Sequence, residues 1–112
     1  MADPSIQQII AGMPSRFNPK AAPDIDVVLQ FKLSGKQGDE FFADIKNNTC
    51  ELHKGVHDNP TLILKMSDKT YVDMVMGRIT GQEAFFKRKL QYQGPIALAV
   101  KLNRFFNPPE IN

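Results

Sequence analysis

Between residues 26 and 66 the apolar side chains of this chain recur at every second position, and from Ser67 onward they recur at helical spacing. That change of period is the strongest constraint on the fold. Over 26–33, Val27, Leu29, Phe31 and Leu33 face one way and Val28, Gln30 and Lys32 the other, which predicts a half-buried strand. Residues 34–38 form a loop with two glycines. A second strand covers 41–46, with Phe41, Ala43 and Ile45 on the core face. Asn47-Asn48 predicts a tight turn, because Asn tolerates left-handed backbone better than most residues. The chain returns over 49–53 with Cys50 and Leu52 inward, crosses a polar loop over 54–60, and enters a fourth strand over 61–66 with Leu62, Leu64 and Met66 on one face.

The helical segments carry their own stop and start signals. At the front, Ile6, Ile9, Ile10 and Met13 predict a short amphipathic helix over 4–13, with Asp3 as cap and Pro4 at the first position. Residues 14–25 hold Pro14, Pro19 and Pro23 and read as an ordered connection or a short helix, anchored by Phe17. Ser67 is a good N-cap and Gly77 a helix stop; between them Tyr71, Met74 and Val75 line one face. Thr80 and Glu83 form a capping box for a helix starting at Gly81. A fifth strand spans 89–93. Pro95 then opens a last helix to about Phe106, which Pro108-Pro109 ends. The pattern is α+β: a five-stranded, mostly antiparallel sheet covered on one side by about five helices.

With 112 residues, 42% of them hydrophobic, the chain fits a single domain over 1–112, and its formal charge of +2 is too small to argue for nucleic acid. A lone cysteine, Cys50, excludes an internal disulfide and fits a reducing compartment. No secretory core or peroxisomal tripeptide is read, and the longest apolar run, 95–100, is far short of the roughly 20 residues a spanning helix needs. The expected setting is cytoplasmic.

The ordered set 61–68 (TLILKMSD), 76–86 (MGRITGQEAFF), 89–94 (KLQYQG) and 97–102 (ALAVKL) resembles the sterol carrier protein type 2 family. The N-terminal half agrees more loosely, through Phe17-Asn18-Pro19 and the strands around Asn47-Asn48. Departures include Arg88-Lys89 where the family often has Gly-Lys, and Gly81 near a position that often holds Pro. The resemblance implies an apolar tunnel between sheet and helices, and the binding and transfer of a fatty acid, acyl-CoA, sterol or phospholipid without catalysis. It also admits an alternative: an interaction or dimerisation module of the same fold, its cavity filled by side chains, serving a lipid-processing enzyme.

Eleven residues are expected to converge under the helices: Phe31, Tyr71, Met74, Val75, Phe85, Phe86, Leu90, Leu98, Leu102, Phe105 and Phe106. On the plain reading they form the core; the resemblance implies that some line the ligand. Area alone would hold an acyl chain, since ten methylenes at about 0.8 kcal/mol each give roughly 8 kcal/mol before ordering costs. Lys87, Arg88, Lys101 and Arg104 are the candidates for contact with a ligand headgroup or an anionic membrane, as no acid lies between Glu83 and Glu110. A partner enzyme or a homodimer stays open. No cofactor is expected. Cys50, His53 and His57, with Asp58 beside them, are ligand types that zinc accepts. Strand alternation, however, points Cys50 and His53 to opposite faces, so a metal site is not expected. No nucleophile elbow, phosphate loop or dinucleotide fingerprint occurs.

Overall fold

A computed structural model describes residues 4–21 and 24–107, the side chain of Asn103 excepted. Five strands form one sheet: β1 (Val27–Ser34), β2 (Asp39–Lys46), β3 (Thr49–Lys54), β4 (Leu62–Ser67) and β5 (Leu90–Gln93). Their order is β3-β2-β1-β4-β5. Three pairings are antiparallel and the central one, β1 with β4, is parallel. The mixed sheet follows from the connections. β1, β2 and β3 are joined by tight turns, and Asn47 and Asn48 both adopt positive φ, 53° and 61°. From β3 the chain crosses back to the far side of β1.

That crossing runs over the outer face of the sheet and is held there by Gln30. The Gln30 side chain is fully buried. Its Nε2 donates to the carbonyls of Phe31, Phe41 and Gly55 at 3.3, 3.1 and 3.0 Å, and its Oε1 accepts from the His57 N–H at 2.8 Å. Thr61 closes the loop, its N–H donating to the Val28 carbonyl at 2.9 Å.

The inner face carries the core: Leu29, Phe31 and Leu33 of β1, Phe41, Ala43 and Ile45 of β2, and Leu62, Leu64 and Met66 of β4. Among the described residues four α-helices and two 3-10 turns accompany the sheet, rather than about five helices. α1 is Ile6–Arg16, α2 Asp68–Val75, α3 Gly81–Phe86 and α4 Ile96–Lys101; the 3-10 turns are Pro19–Ala21 and Leu102–Arg104. α1 buries Ile6, Ile9, Ile10 and Met13.

Two helix ends differ from the expectation. α1 runs through Pro14 to Arg16, and its cap is Ser5 in a capping box with Gln8; Asp3, the expected cap, lies outside the described residues. At the other end α geometry stops at Lys101. Phe105 and Phe106 turn away to meet the end of α1: Asn18 N–H donates to the Phe105 carbonyl at 2.7 Å, Asn107 N–H donates to the Arg16 carbonyl at 2.7 Å, and Phe17 bridges Phe106. Pro108 and Pro109 lie outside the described residues. The capping box of α3 (Thr80, Glu83) and the Ser67 cap of α2 stand as the sequence predicts, and Gly77 takes φ 79° just past α2, a backbone conformation a side chain would strain.

Candidate functional site: an apolar cavity between sheet and helices

A cavity of about 530 Å³ lies between the inner face of the sheet and the helical layer. Small-molecule sites fall in the range of about 300–1,000 Å³. Phe31 of β1, Met66 of β4 and Tyr71 of α2 line it on the sheet side. Phe31 stacks on Phe41 at 4.8 Å, and the Tyr71 ring meets both edge-on at 5.7 and 5.8 Å, so this part of the lining is a fixed aromatic cluster. The Tyr71 hydroxyl reaches across to α1 and donates to Met13 Sδ at 3.2 Å. Burial pushes its pKa up, which keeps it a neutral donor.

Met74 and Val75 line the cavity from α2, followed by Gly77, Ile79 and residues 80–82 of the connection and first turn of α3. Ala99, Val100, Leu102 and Phe106 line it from the C-terminal side. Two cations complete the lining, Arg16 and Arg104. Arg16 folds back along α1: Nη1 donates to the Ile9 carbonyl and Nε to the Asn107 carbonyl, each at 3.2 Å. Gly12 makes the room, since a Cβ there would stand 2.6 Å from Nη1. Among the described residues no carboxylate pairs with Arg16. Desolvation holds its pKa below the ordinary arginine value, against the opposing influence of Tyr71. The Arg16 guanidinium is thus partly buried in the cavity wall and bonded to backbone carbonyls.

Six of the eleven expected apolar residues line this cavity: Phe31, Tyr71, Met74, Val75, Leu102 and Phe106. Leu90, Leu98 and Phe105 are buried in the core instead. Phe85 and Phe86 point into solvent, with Phe85 resting on Tyr92 at 5.4 Å. Of the four cations singled out, Arg104 lines the cavity. Arg88 lines an open groove of about 810 Å³ across one end of the sheet, and Lys87 and Lys101 are exposed outside both. The lining also holds residues outside the expected set: Met13, Arg16, Met66, Gly77, Ile79, residues 80–82, Ala99, Val100 and Asn107. Met13 and Met66 already stood on predicted apolar faces. For Arg16 the sequence carries no signal, because its place depends on Asn107, 91 residues away.

The Cys-His-His run is dispersed. Cys50 sits opposite Ile45 on the inner side of β3, and burial, then Asp44 and Glu51, push its thiol up to about 11. His53 and His57 pack on Phe42 on the outer side, both at 5.1 Å. No group of three or more metal-ligating side chains converges among the described residues.

Residues 6–107 match the SCP-2 sterol transfer family. The chain belongs to that family. Hydroxysteroid dehydrogenase-like protein 2 of Bos taurus is 35% identical over 81 residues, 71% of this chain and 19% of that protein. The chain thus spans about a fifth of the length of the curated relative it matches. Sterol carrier protein 2 of Yarrowia lipolytica, in its apo form, superposes with a TM-score of 0.70 at 24% identity, covering 89% of this chain and 85% of the other. A palmitated sterol carrier protein 2-like 2 of Aedes aegypti gives 0.72 at 21% identity, covering 90% and 93%. These two likenesses concern the fold, a five-stranded sheet beneath helices.

Proposed function

We propose that this chain binds one amphiphilic lipid in the cavity and transfers it, without chemistry of its own. The observation that carries the reading is the cavity itself: apolar surface from sheet and three helices, with an arginine set in the wall that has no carboxylate partner among the described residues. The acyl or ring portion lies against Phe31, Met66, Met74, Val75 and Leu102, and an anionic head lies at Arg16 and Arg104. Family membership and the palmitated Aedes aegypti neighbour support a fatty-acyl ligand. The cytoplasmic setting read from the lone cysteine belongs to the same proposal.

Native mass spectrometry with displacement of a fluorescent acyl probe tests it. A saturable 1:1 complex is expected, and Val75→Trp should weaken it at least tenfold by filling the space the tail needs. Absence of binding to fatty acid, acyl-CoA, phospholipid and sterol alike would defeat the carrier reading. A second reading has its own support: the match fills only 19% of the Bos taurus relative, a much longer protein named for a dehydrogenase. On that reading the lipid domain presents substrate to an enzyme, and the same cavity serves both.

A further inference from the structure

α3 and α4 pack against one another and hold four large apolar side chains in water. Phe85 is 46% exposed and Phe86 82% on α3; Ile96 is 61% and Val100 48% on α4. Ile96 and Val100 are four residues apart and so share a face. Lys87 follows α3, and Lys101 and Arg104 end the C-terminal helical segment, whereas Arg88 and Lys89 line the groove at the end of the sheet with Asp39 and Glu40. All five are exposed, and none pairs with a carboxylate among the described residues. No acid occurs from 84 to 109, whereas the remaining residues hold nine cations against twelve acids. The charge of the chain is therefore strongly one-sided.

We propose that this α3–α4 surface docks on an anionic bilayer, with Phe85, Phe86, Ile96 and Val100 entering the headgroup zone and Lys87, Lys101 and Arg104 meeting lipid phosphates and carboxylates. Exposed aromatic and aliphatic side chains bordered by Lys and Arg, with Glu83 at the start of α3 the one acid on the two helices, suit an interface that is apolar below and anionic at its surface. Charge decides against a second copy of this chain as the occupant, since pairing the surface with itself brings like cations together. The site is also continuous with the cavity, because Val100 and Arg104 belong to the cavity lining as well. This continuity lets a lipid pass between bilayer and cavity at the docked edge, and in that respect alone the inference rests on the carrier reading.

Flotation of the ligand-free 112-residue chain with phosphatidylcholine vesicles, with and without about 30 mol % phosphatidylserine, tests the docking. Binding to the anionic vesicles should exceed binding to the neutral ones at least ~tenfold, and should fall as salt rises from about 0.1 to about 0.5 M. Phe86→Ser, and the pair Lys87→Glu with Lys101→Glu, should each lower it by about tenfold, with unchanged thermal unfolding and unchanged acyl-probe affinity measured without vesicles. Val75→Trp should lose the probe and still float. The proposal is overturned if wild type ignores both vesicles, if the surface variants float as wild type does, or if those variants lose the probe. It is equally overturned if Phe86→Ser merely dissolves a dimer or a complex with an acidic protein while vesicles are never bound.

Discussion

Arg16 and Gln30 show opposite ways of placing a polar side chain in the interior. Gln30 is saturated: its amide bonds four backbone groups from three separate stretches of chain, so it works as a rivet. Truncation leaves those buried groups without partners, at about 1–3 kcal/mol for such a group. Gln30→Ala is expected to lower the unfolding free energy by roughly 2–3 kcal/mol in urea titration, and unaltered stability would show the rivet to be dispensable. Among the described residues Arg16 bonds two carbonyls and no carboxylate. A charge-assisted bond to a carboxylate contributes about 1.5–3 kcal/mol. Arg16→Gln should therefore weaken binding of a long-chain fatty acid about tenfold or more and barely change its methyl ester. Equal losses for acid and ester in probe displacement would mean that Arg16 shapes the cavity but does not hold the head.

Among the elements, α2 is the one on which the cavity most depends, since it supplies Tyr71, Met74 and Val75. Its start is latched to the β1–β2 loop: Asp68 Oδ2 accepts from the Gln37 N–H at 2.9 Å, and Oδ1 from the Lys69 N–H at 2.8 Å. Gly35 permits the latch, with φ 98° and a virtual Cβ 2.4 Å from Asp68 Oδ1. The Gln37 side chain in turn accepts from the Ile6 N–H at 3.0 Å, so one loop fixes the start of α1 as well. The Gln37 bond outweighs desolvation and, with help from Lys69, holds the Asp68 carboxyl below the ordinary aspartate value. A depressed folded-state pKa contributes stability that is complete above the unfolded value of about 3.9 and lost as pH falls through the lower folded value. Stability should thus drop on acidification below about pH 4, and Asp68→Asn should flatten that part of the profile. An identical acid profile in the variant would remove Asp68 from the account.

Strand alternation and cap chemistry made most of these elements legible, because both are local. The inner faces of β1, β2 and β4, the Asn47-Asn48 turn, the Ser67 cap and the Thr80–Glu83 box were all readable from neighbouring residues. What resisted reading depends on distant partners. Gln30 was placed on the outward face, but the loop that buries it arrives 25 residues later. The last helix read on to Phe106 because Phe105 and Phe106 fit helical spacing, yet their partners are Phe17 and Asn18 at the far end of the chain. Phe85 and Phe86 were grouped with the core by composition, whereas a six-residue helix has only one inner position to fill here, and Ala84 takes it.

At the scale of the molecule, the cavity is a trade between stability and function. A chain of 112 residues has a modest core, and it leaves about 530 Å³ unfilled between two layers that elsewhere pack tightly. Apolar walls without partner atoms forgo dispersion contacts, so in the proposed carrier the ligand acts as a missing piece of the core. Binding to the folded state alone then stabilises it by mass action, about 2.7 kcal/mol at a hundred times the dissociation constant. For a domain of this size that shifts the unfolding midpoint on the order of 10 °C. Val75→Trp supplies internally part of what the ligand supplies from outside. Its midpoint without lipid should equal or exceed that of the wild type, and added fatty acid should no longer raise it. If the indole instead destabilises the chain and the ligand shift survives, the space beside Val75 is not where the tail lies, and the cavity must be entered from the Phe31 and Met66 side.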